Sequence, residues 1–378
     1  MKPTLAVKGW CPGAYRPMMS GDGLIVRIRP YCARLETAQV LGLCALAQDY
    51  GNGILDLTNR ANIQIRGVTE ARLDALLASL SELRVLDESS ELESRRNILV
   101  TPFWADGDDT QKLFNDLMSF LPQLPDLPAK FGIGVDVGTA PVLGHASADI
   151  RIERARSGLI VRADGASLGR QVSKESAVSA VLEMMDWFAA NRVLEERRMA
   201  HVLTRCELPA EWTVEAPLAT ASVPDPGRHR LGLLVGAAFG QIDAAALTGY
   251  IHDTGASALR VTPWRMFLLE GATQVASEAF INRPGDPLLH IDACPGAPHC
   301  ASATVATRNL ARQLAGQVTG SLHVSGCTKG CARKAPAATT LVGNQGRFDL
   351  VSKGHAWDAP KKTGLRPEDL CAQLTGHT

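Results

Sequence analysis

The 378-residue sequence predicts an α+β fold in which one unit of strands and a helix occurs twice. Three observations carry that expectation. Apolar residues alternate at period two in several short runs, helical spacing fills the stretches between them, and a segment near the N-terminus is echoed about 200 residues later.

In the first copy, Leu24, Val26 and Ile28 alternate with Ile25, Arg27 and Arg29 and predict a strand. Leu35 to Tyr50 has helical spacing, and Gly51-Asn52-Gly53 turns the chain into a strand over Ile54 to Thr58. Asn59 to Gly67 alternates again. Arg60, Asn62, Gln64 and Arg66 are expected on one strand face and Ala61, Ile63 and Ile65 on the other, so one face is core and the other a row of donors. The second copy matches GLIVR (Gly23 to Arg27) with GLLVG (Gly232 to Gly236), and TNRANIQIRGV (Thr58 to Val68) with TPWRMFLLEGA (Thr262 to Ala272), around a helical stretch from Asp243 to Thr254. Phe267, Leu268 and Leu269 make its strand apolar, and binding is expected to lean on the first copy.

Between the copies lie a charged stretch (Asp87 to Arg96), a Pro-rich connector (Leu121 to Pro128), strand-like Ile150 to Ile152 and Gly158 to Arg162, and a helical run from Lys174 to Arg205. Glu207 to Arg230 carries four prolines and reads as a linker. Gly132-x-Gly134-x-x-x-Gly138 has the wrong spacing for a nucleotide loop and no helix follows it, so it reads as a glycine-rich strand. These features divide the chain at 1–85, 86–220, 221–289 and 290–378.

Lys plus Arg and Asp plus Glu both number 39, so no basic excess supplies a general attraction for nucleic acid or anionic membrane. No stretch offers the roughly 18 uninterrupted apolar residues of a membrane helix. A cytoplasmic location is expected. Nine cysteines in a chain without an evident export signal argue for free thiols or metal ligands rather than a disulfide framework.

Four of those cysteines form a constellation. Cys294 and Cys300 are spaced C-x5-C, and Cys327 and Cys331 are spaced C-x3-C, with a helical stretch (Ser302 to Leu314) between the pairs. Neither loop matches the usual zinc knuckle, whereas iron–sulfur clusters accept wider spacings, so a [4Fe–4S] cluster is preferred over zinc or spare thiols. Cys32, Cys44, Cys206 and Cys371 stand alone and read as small buried hydrophobes; Cys11 is read the same way, although Cys11-Pro12-Gly13-Ala14 repeats the opening of the Cys294 loop.

Taken together, GLIVRIRPYCARLETAQV, LTNRANIQIRGV, Arg95-Arg96-Asn97-Ile98, the Lys130-bearing Leu127 to Phe131 and the two cysteine loops resemble the sulfite and nitrite reductase superfamily over nearly the whole chain. The resemblance implies two pseudo-symmetric ferredoxin-like half-domains plus two α/β regions around a tetrapyrrole cleft. It also implies a cluster on Cys294, Cys300, Cys327 and Cys331. Substrate contacts are expected from Arg60, Asn62, Gln64 and Arg66, joined by Arg27, Arg29, Arg96, Asn97 and Lys130, because a flat polycarboxylate macrocycle demands guanidinium and amide donors.

Within the superfamily, CPGAYRPMMSGDG and SGCTKGCARKAPAATTLVG resemble the oxygenase branch of aerobic cobalamin biosynthesis, which acts on precorrin-3A. That resemblance implies C20 hydroxylation and γ-lactone formation with O2, a mononuclear non-haem iron besides the cluster, and electrons from NADH through a separate donor protein. The ligands of that iron are not legible, and His290, His299 and His323 read as structural. Two departures separate the chain from the reductases. Thr328-Lys329 fill the middle of the second cysteine loop, where Pro-Asn is common, and Gly132 stands where a second lysine is expected. A sirohaem-dependent sulfite or nitrite reductase is the alternative, and a non-catalytic metal-stabilised binding module the third reading.

Overall fold

The computed structural model describes residues 12–273 and 277–375, apart from the side chains of Cys371 and Thr375. Cys11 and the Cys371 side chain therefore lie outside what is described. Two antiparallel sheets form the centre. Met18–Ser20, Gly23–Ile28, Ile63–Val68 and Ile54–Leu57 lie side by side in that order, and Gln241–Asp243 from the second copy completes the edge. Reciprocally, Gly227–His229, Gly232–Gly236, Met266–Glu270 and Ala258–Val261 are completed by Arg34–Glu36 from the first copy. Each unit thus lends its partner an edge strand, with Leu55 opposite Ile242 and Leu259 opposite Leu35. Exchange of this kind removes two open sheet edges and fuses the copies into one body.

The helices that follow the exchanged strands, Thr37–Tyr50 and Ala244–Thr254, pack on each other. The first is opened by a Glu36/Gln39 capping box, the second by Asp243, whose carboxylate accepts from Ala246 N at 2.8 Å. Backbone conformation repeats with the topology. Cys32 and Phe239 both have positive φ (48° and 61°), as do Ala61 and Arg265 (52° and 59°), at matching points of the two copies. These are uncommon conformations for residues with a Cβ.

The duplication extends further than the sequence shows. In the middle region Ile98–Val100, Ile133–Asp136 and Ile150–Arg154 are parallel, and Leu159–Ala163 and Arg170–Val172 continue the sheet antiparallel. Near the C-terminus Ile291–Ala293, Leu322–Ser325 and Ala337–Asn344 are parallel, and Arg347–Gly354 and Lys362–Leu365 continue antiparallel. Two sheets of identical topology follow two half-domains of identical topology. A continuous apolar core runs through both half-domains and the middle sheet, and a second one, with Val324, Leu341 and Phe348, lies under the cysteine region.

Three elements differ from expectation. Asn59 to Gly67 is not one strand: Thr58 Oγ1 accepts from Arg60 N and Asn62 N, the chain turns through Ala61 at positive φ, and pairing begins only at Ile63. The helical run Lys174 to Arg205 divides into Ala177–Asn191 and Met199–Val202. Asn191 Nδ2 binds Trp187 O, and Arg198 turns away to the buried Asp149 at 2.8 Å. The helix expected from Ser302 begins at Arg308, because Ala303 N and Thr304 N are committed to Cys300 O and Gly326 O.

Candidate functional site

A cavity of about 1130 Å³ opens between the first half-domain and the cysteine-bearing region, at the upper end of the size range for ligand sites. Its polar wall begins on the exposed face of the first sheet. Gln64 lies opposite Arg27 on one side and Asp56 on the other. The Gln64 side-chain oxygen accepts from Arg27 Nε and Nη2 at 3.1 and 2.7 Å in the amide orientation that satisfies both groups. Alternation holds from Ile63 onward. Ile63 and Ile65 enter the core, while Gln64 and Arg66 face the cavity.

The opposite wall comes from residues the sequence reading did not select: Arg265, Arg308 and Arg333, with Asp292 between two of them. Arg265 Nη2 pairs with Asp292 Oδ1 and Arg333 Nη1 with Asp292 Oδ2, the latter at 2.8 Å. Burial, with Arg333 and Arg308 close by, lowers Arg265 to about 10, so it stays charged at neutral pH. Asp56 joins Arg66 Nη1 at 3.4 Å to Arg308 Nη2 at 3.2 Å. With Arg66 tied to Asp22 and Asp56, the guanidiniums offered to a ligand are those of Arg27, Arg265, Arg308 and Arg333, and Trp264 and Phe239 supply apolar surface. The wall suits a large, flat polyanion. The expectation that binding leans on the first copy is corrected here. The apolar strand Met266–Glu270 is buried, but the positive-φ turn before it delivers Trp264 and Arg265.

The other selected residues are placed differently. Arg60, Asn62, Arg29, Arg96, Asn97 and Lys130 are absent from the lining of this cavity among the described residues. Arg60 Nη2 donates to Lys130 O at 3.0 Å and Ser147 Oγ at 3.1 Å, away from the Gln64 face because of the turn at Ala61. Asn62 is buried, and Asn97 Nδ2 donates to Phe131 O at 2.6 Å. Arg96 is a buried ion-pair partner of Asp87, with Nε and Nη2 at 2.7 and 2.9 Å from its carboxylate oxygens. Arg29 Nη1 reaches the carbonyls of Glu93 and Arg96, and burial lowers its pKa to about 10.

Cys294 and Cys331 form part of the cavity wall. All four cysteines of the constellation are free thiols; Cys331 lies in the electrostatic field of the other three, and Cys294 in that of Cys300 and Cys327. Cys294 continues strand Ile291–Ala293, and Cys327 and Cys331 occupy the loop after strand Leu322–Ser325. Parallel pairing sets Ala293 beside Val324 and so brings the two loops together. Gly326 N donates to Cys294 Sγ at 3.2 Å, the kind of amide contact that stabilises cluster thiolates. Close packing needs glycine at two points. A Cβ on Gly326 would lie 2.6 Å from Ala303 Cβ, and Gly296 has φ +68° with Thr307 Oγ1 2.5 Å from where its Cβ would be. Burial raises the thiol pKa of Cys294, so binding metal there releases protons.

Among the described residues, no three His, Cys, Asp or Glu side chains close on a single metal ion. The donor set, four thiols carried on two adjoining loops, is of the chemical kind that an iron–sulfur cluster takes. The mononuclear iron implied by the resemblance finds no ligand set among these residues, and His323 is buried with Nε2 unpartnered.

Residues 16–83 match the family model described as the nitrite/sulfite reductase ferredoxin-like half domain. The structure of the Mycobacterium tuberculosis NirA protein superposes with a TM-score of 0.61 at 15% identity, covering 93% of this chain and 79% of that one. A ferredoxin–nitrite reductase from Leptolyngbya laminosa is 23% identical over 90% of this chain and 80% of its own. The fold is of the nitrite/sulfite reductase type, built on ferredoxin-like half-domains. A precorrin-3B synthase from Sinorhizobium sp is 32% identical, over 93% of this chain and 84% of its own length. The chain belongs to the precorrin-3B synthase family and is an enzyme of oxidoreductase type.

Proposed function

We propose that this enzyme hydroxylates precorrin-3A at C20 and closes a γ-lactone from the ring A acetate, giving precorrin-3B, in the cytoplasm and with O2 as co-substrate. The observation that carries the reading is the union of an arginine-walled cavity of macrocycle scale with two cysteines of a four-thiol constellation.

Arg265, Arg333, Arg308 and Arg27 bind the peripheral carboxylates, and Asp292 and Asp56 hold three of these guanidiniums in fixed orientations. Trp264 and Phe239 cover macrocycle surface and exclude water from it. A γ-lactone needs the acetate carboxylate brought onto the ring A carbon that adjoins the oxidised meso position, and fixed guanidiniums on the remaining carboxylates supply that orientation. Cys294, Cys300, Cys327 and Cys331 would hold a [4Fe–4S] cluster, which supplies electrons one at a time, as ground-state O2 requires. NADH would reduce it through a separate carrier protein. Every described cysteine is a free thiol, which supports a reducing compartment.

Anaerobic purification followed by turnover of precorrin-3A under air tests the reading. The expected result is a broad brown cluster absorption, without the Soret band of a resident sirohaem, and a product heavier by one oxygen. A sirohaem spectrum with sulfite or nitrite reduction and no change in precorrin-3A would overturn it in favour of a reductase.

A further inference from the structure

We propose that Arg66 is a positioning residue for the cysteine loop rather than a ligand of the macrocycle. Arg66 faces the cavity, yet its donors are already engaged. Nε and Nη2 bind both carboxylate oxygens of Asp22 at 2.9 and 2.8 Å, Nη1 reaches Asp56 at 3.4 Å, and Nη2 also reaches Ser20 Oγ at 3.1 Å and His299 O at 3.2 Å. A substrate carboxylate would have to displace a buried bidentate partner, leaving Asp22 without its counter-charge.

His299 immediately precedes Cys300. Its carbonyl also accepts from Ser20 Oγ at 2.9 Å, and its ring Nδ1 stands 3.6 Å from Asp22. Gly21 presses on the same loop, since a Cβ there would lie 2.7 Å from Pro298 O and 3.0 Å from Cys300 N. On the far side, Asp56 ties Arg66 to Arg308, and the adjoining Thr307 donates from its hydroxyl to Cys294 O. One buried guanidinium and two carboxylates of the first half-domain thus grip the loop before and after Cys300. Cys294 and Cys327 are fixed by parallel strands that end just before them. Cys300 has no such strand, so its position depends on this clamp.

The inference rests on the reading of the four cysteines as cluster ligands, and the test separates the two. Wild-type protein that binds no iron defeats that reading before any variant is made. With an iron-replete wild type, Arg66→Gln is expected to loosen the Cys300 corner. Iron should fall from about four toward about three per chain, with a three-iron signal in the electron paramagnetic resonance spectrum of oxidised protein. The dissociation constant for precorrin-3A should stay within about twofold. A full four-iron spectrum with affinity weakened about tenfold or more would overturn the proposal and make Arg66 a substrate ligand. Should Arg66→Gln fail to fold, Asp22→Asn removes the same counter-charge and should give the same three-iron signal. An unchanged cluster in that variant overturns the proposal equally.

Discussion

Arg96 offers a sharp test of where the arginines of this chain work. Substitution Arg96→Met removes a guanidinium whose side chain is 3% exposed and leaves its partner Asp87, 4% exposed, as an unpaired buried charge. It also removes the Nη2 contact to Arg29 O at 2.7 Å and the stacking of the guanidinium 4.2 Å over the Tyr31 ring. Breaking a buried pair from one side costs about 3–5 kcal/mol. Each kcal/mol moves the melting temperature of a body larger than about 250 residues by about 2 °C or less, so the fall should be several degrees, up to about 10 °C. Urea unfolding followed by circular dichroism measures the loss, and precorrin-3A titration of the folded variant measures binding. The double variant Arg96→Met with Asp87→Leu should recover much of the stability, because an apolar pair of similar bulk carries no stranded charge. A variant as stable as wild type that no longer binds the macrocycle would refute the argument and return Arg96 to the substrate site.

Two further outcomes follow from the geometry. Gly326→Ala drives a methyl against Ala303 Cβ in the cysteine region, so stability should drop by about 1–3 kcal/mol and iron content should fall with it; a variant equal to wild type in both would show the loop to be loosely packed. Burial, with Arg333, Arg265 and Lys334 nearby, lowers His323 from 6.5 to about 4, so the unfolded chain takes up this proton first and stability is lost as pH falls through that window. Asp136, raised by burial from 3.8 to about 6, acts in the opposite sense: the unfolded chain releases its proton first, and stability is lost as pH rises through its window. His323→Gln should therefore make stability decline more steeply as pH rises from about 4.5 to about 6. Urea unfolding across that range measures the change, and an unaltered profile would show that His323 does not titrate as its burial requires.

The local alphabet of this fold was legible because the core is built from period-two and helical patterns. Leu24, Val26 and Ile28 are buried as their alternation demands, and Ile63 and Ile65 likewise. The duplicated half-domain showed itself through short echoes of strand and turn. The duplication of the two α/β sheets did not, because Ile98–Val100 and Ile291–Ala293 share a place in the topology without sharing a motif. Cys294, Cys300, Cys327 and Cys331 were legible for a different reason: four thiols in two glycine-bearing loops are a chemical pattern that needs no neighbours to be noticed.

The arginines were another matter. Charge and spacing mark a residue as able to bind an anion, but they do not say whether a carboxylate of the same chain has claimed it. Arg66 and Arg96 are held by both oxygens of Asp22 and Asp87, which come from other elements of the chain, whereas Arg265, Arg308 and Arg333 touch Asp292 and Asp56 through one nitrogen each. Arg265, Arg308 and Arg333 lie in stretches that look unremarkable one at a time, and they become one wall only when the cysteine region folds against the exchanged half-domains. Strand and helix types, the repeated unit and the thiol set could be read from the residues alone, since each depends on neighbours close along the chain. Tertiary structure alone decided which guanidiniums face the cavity and which are tied down, because that depends on the partners that contacts distant in sequence bring within 3 Å or so.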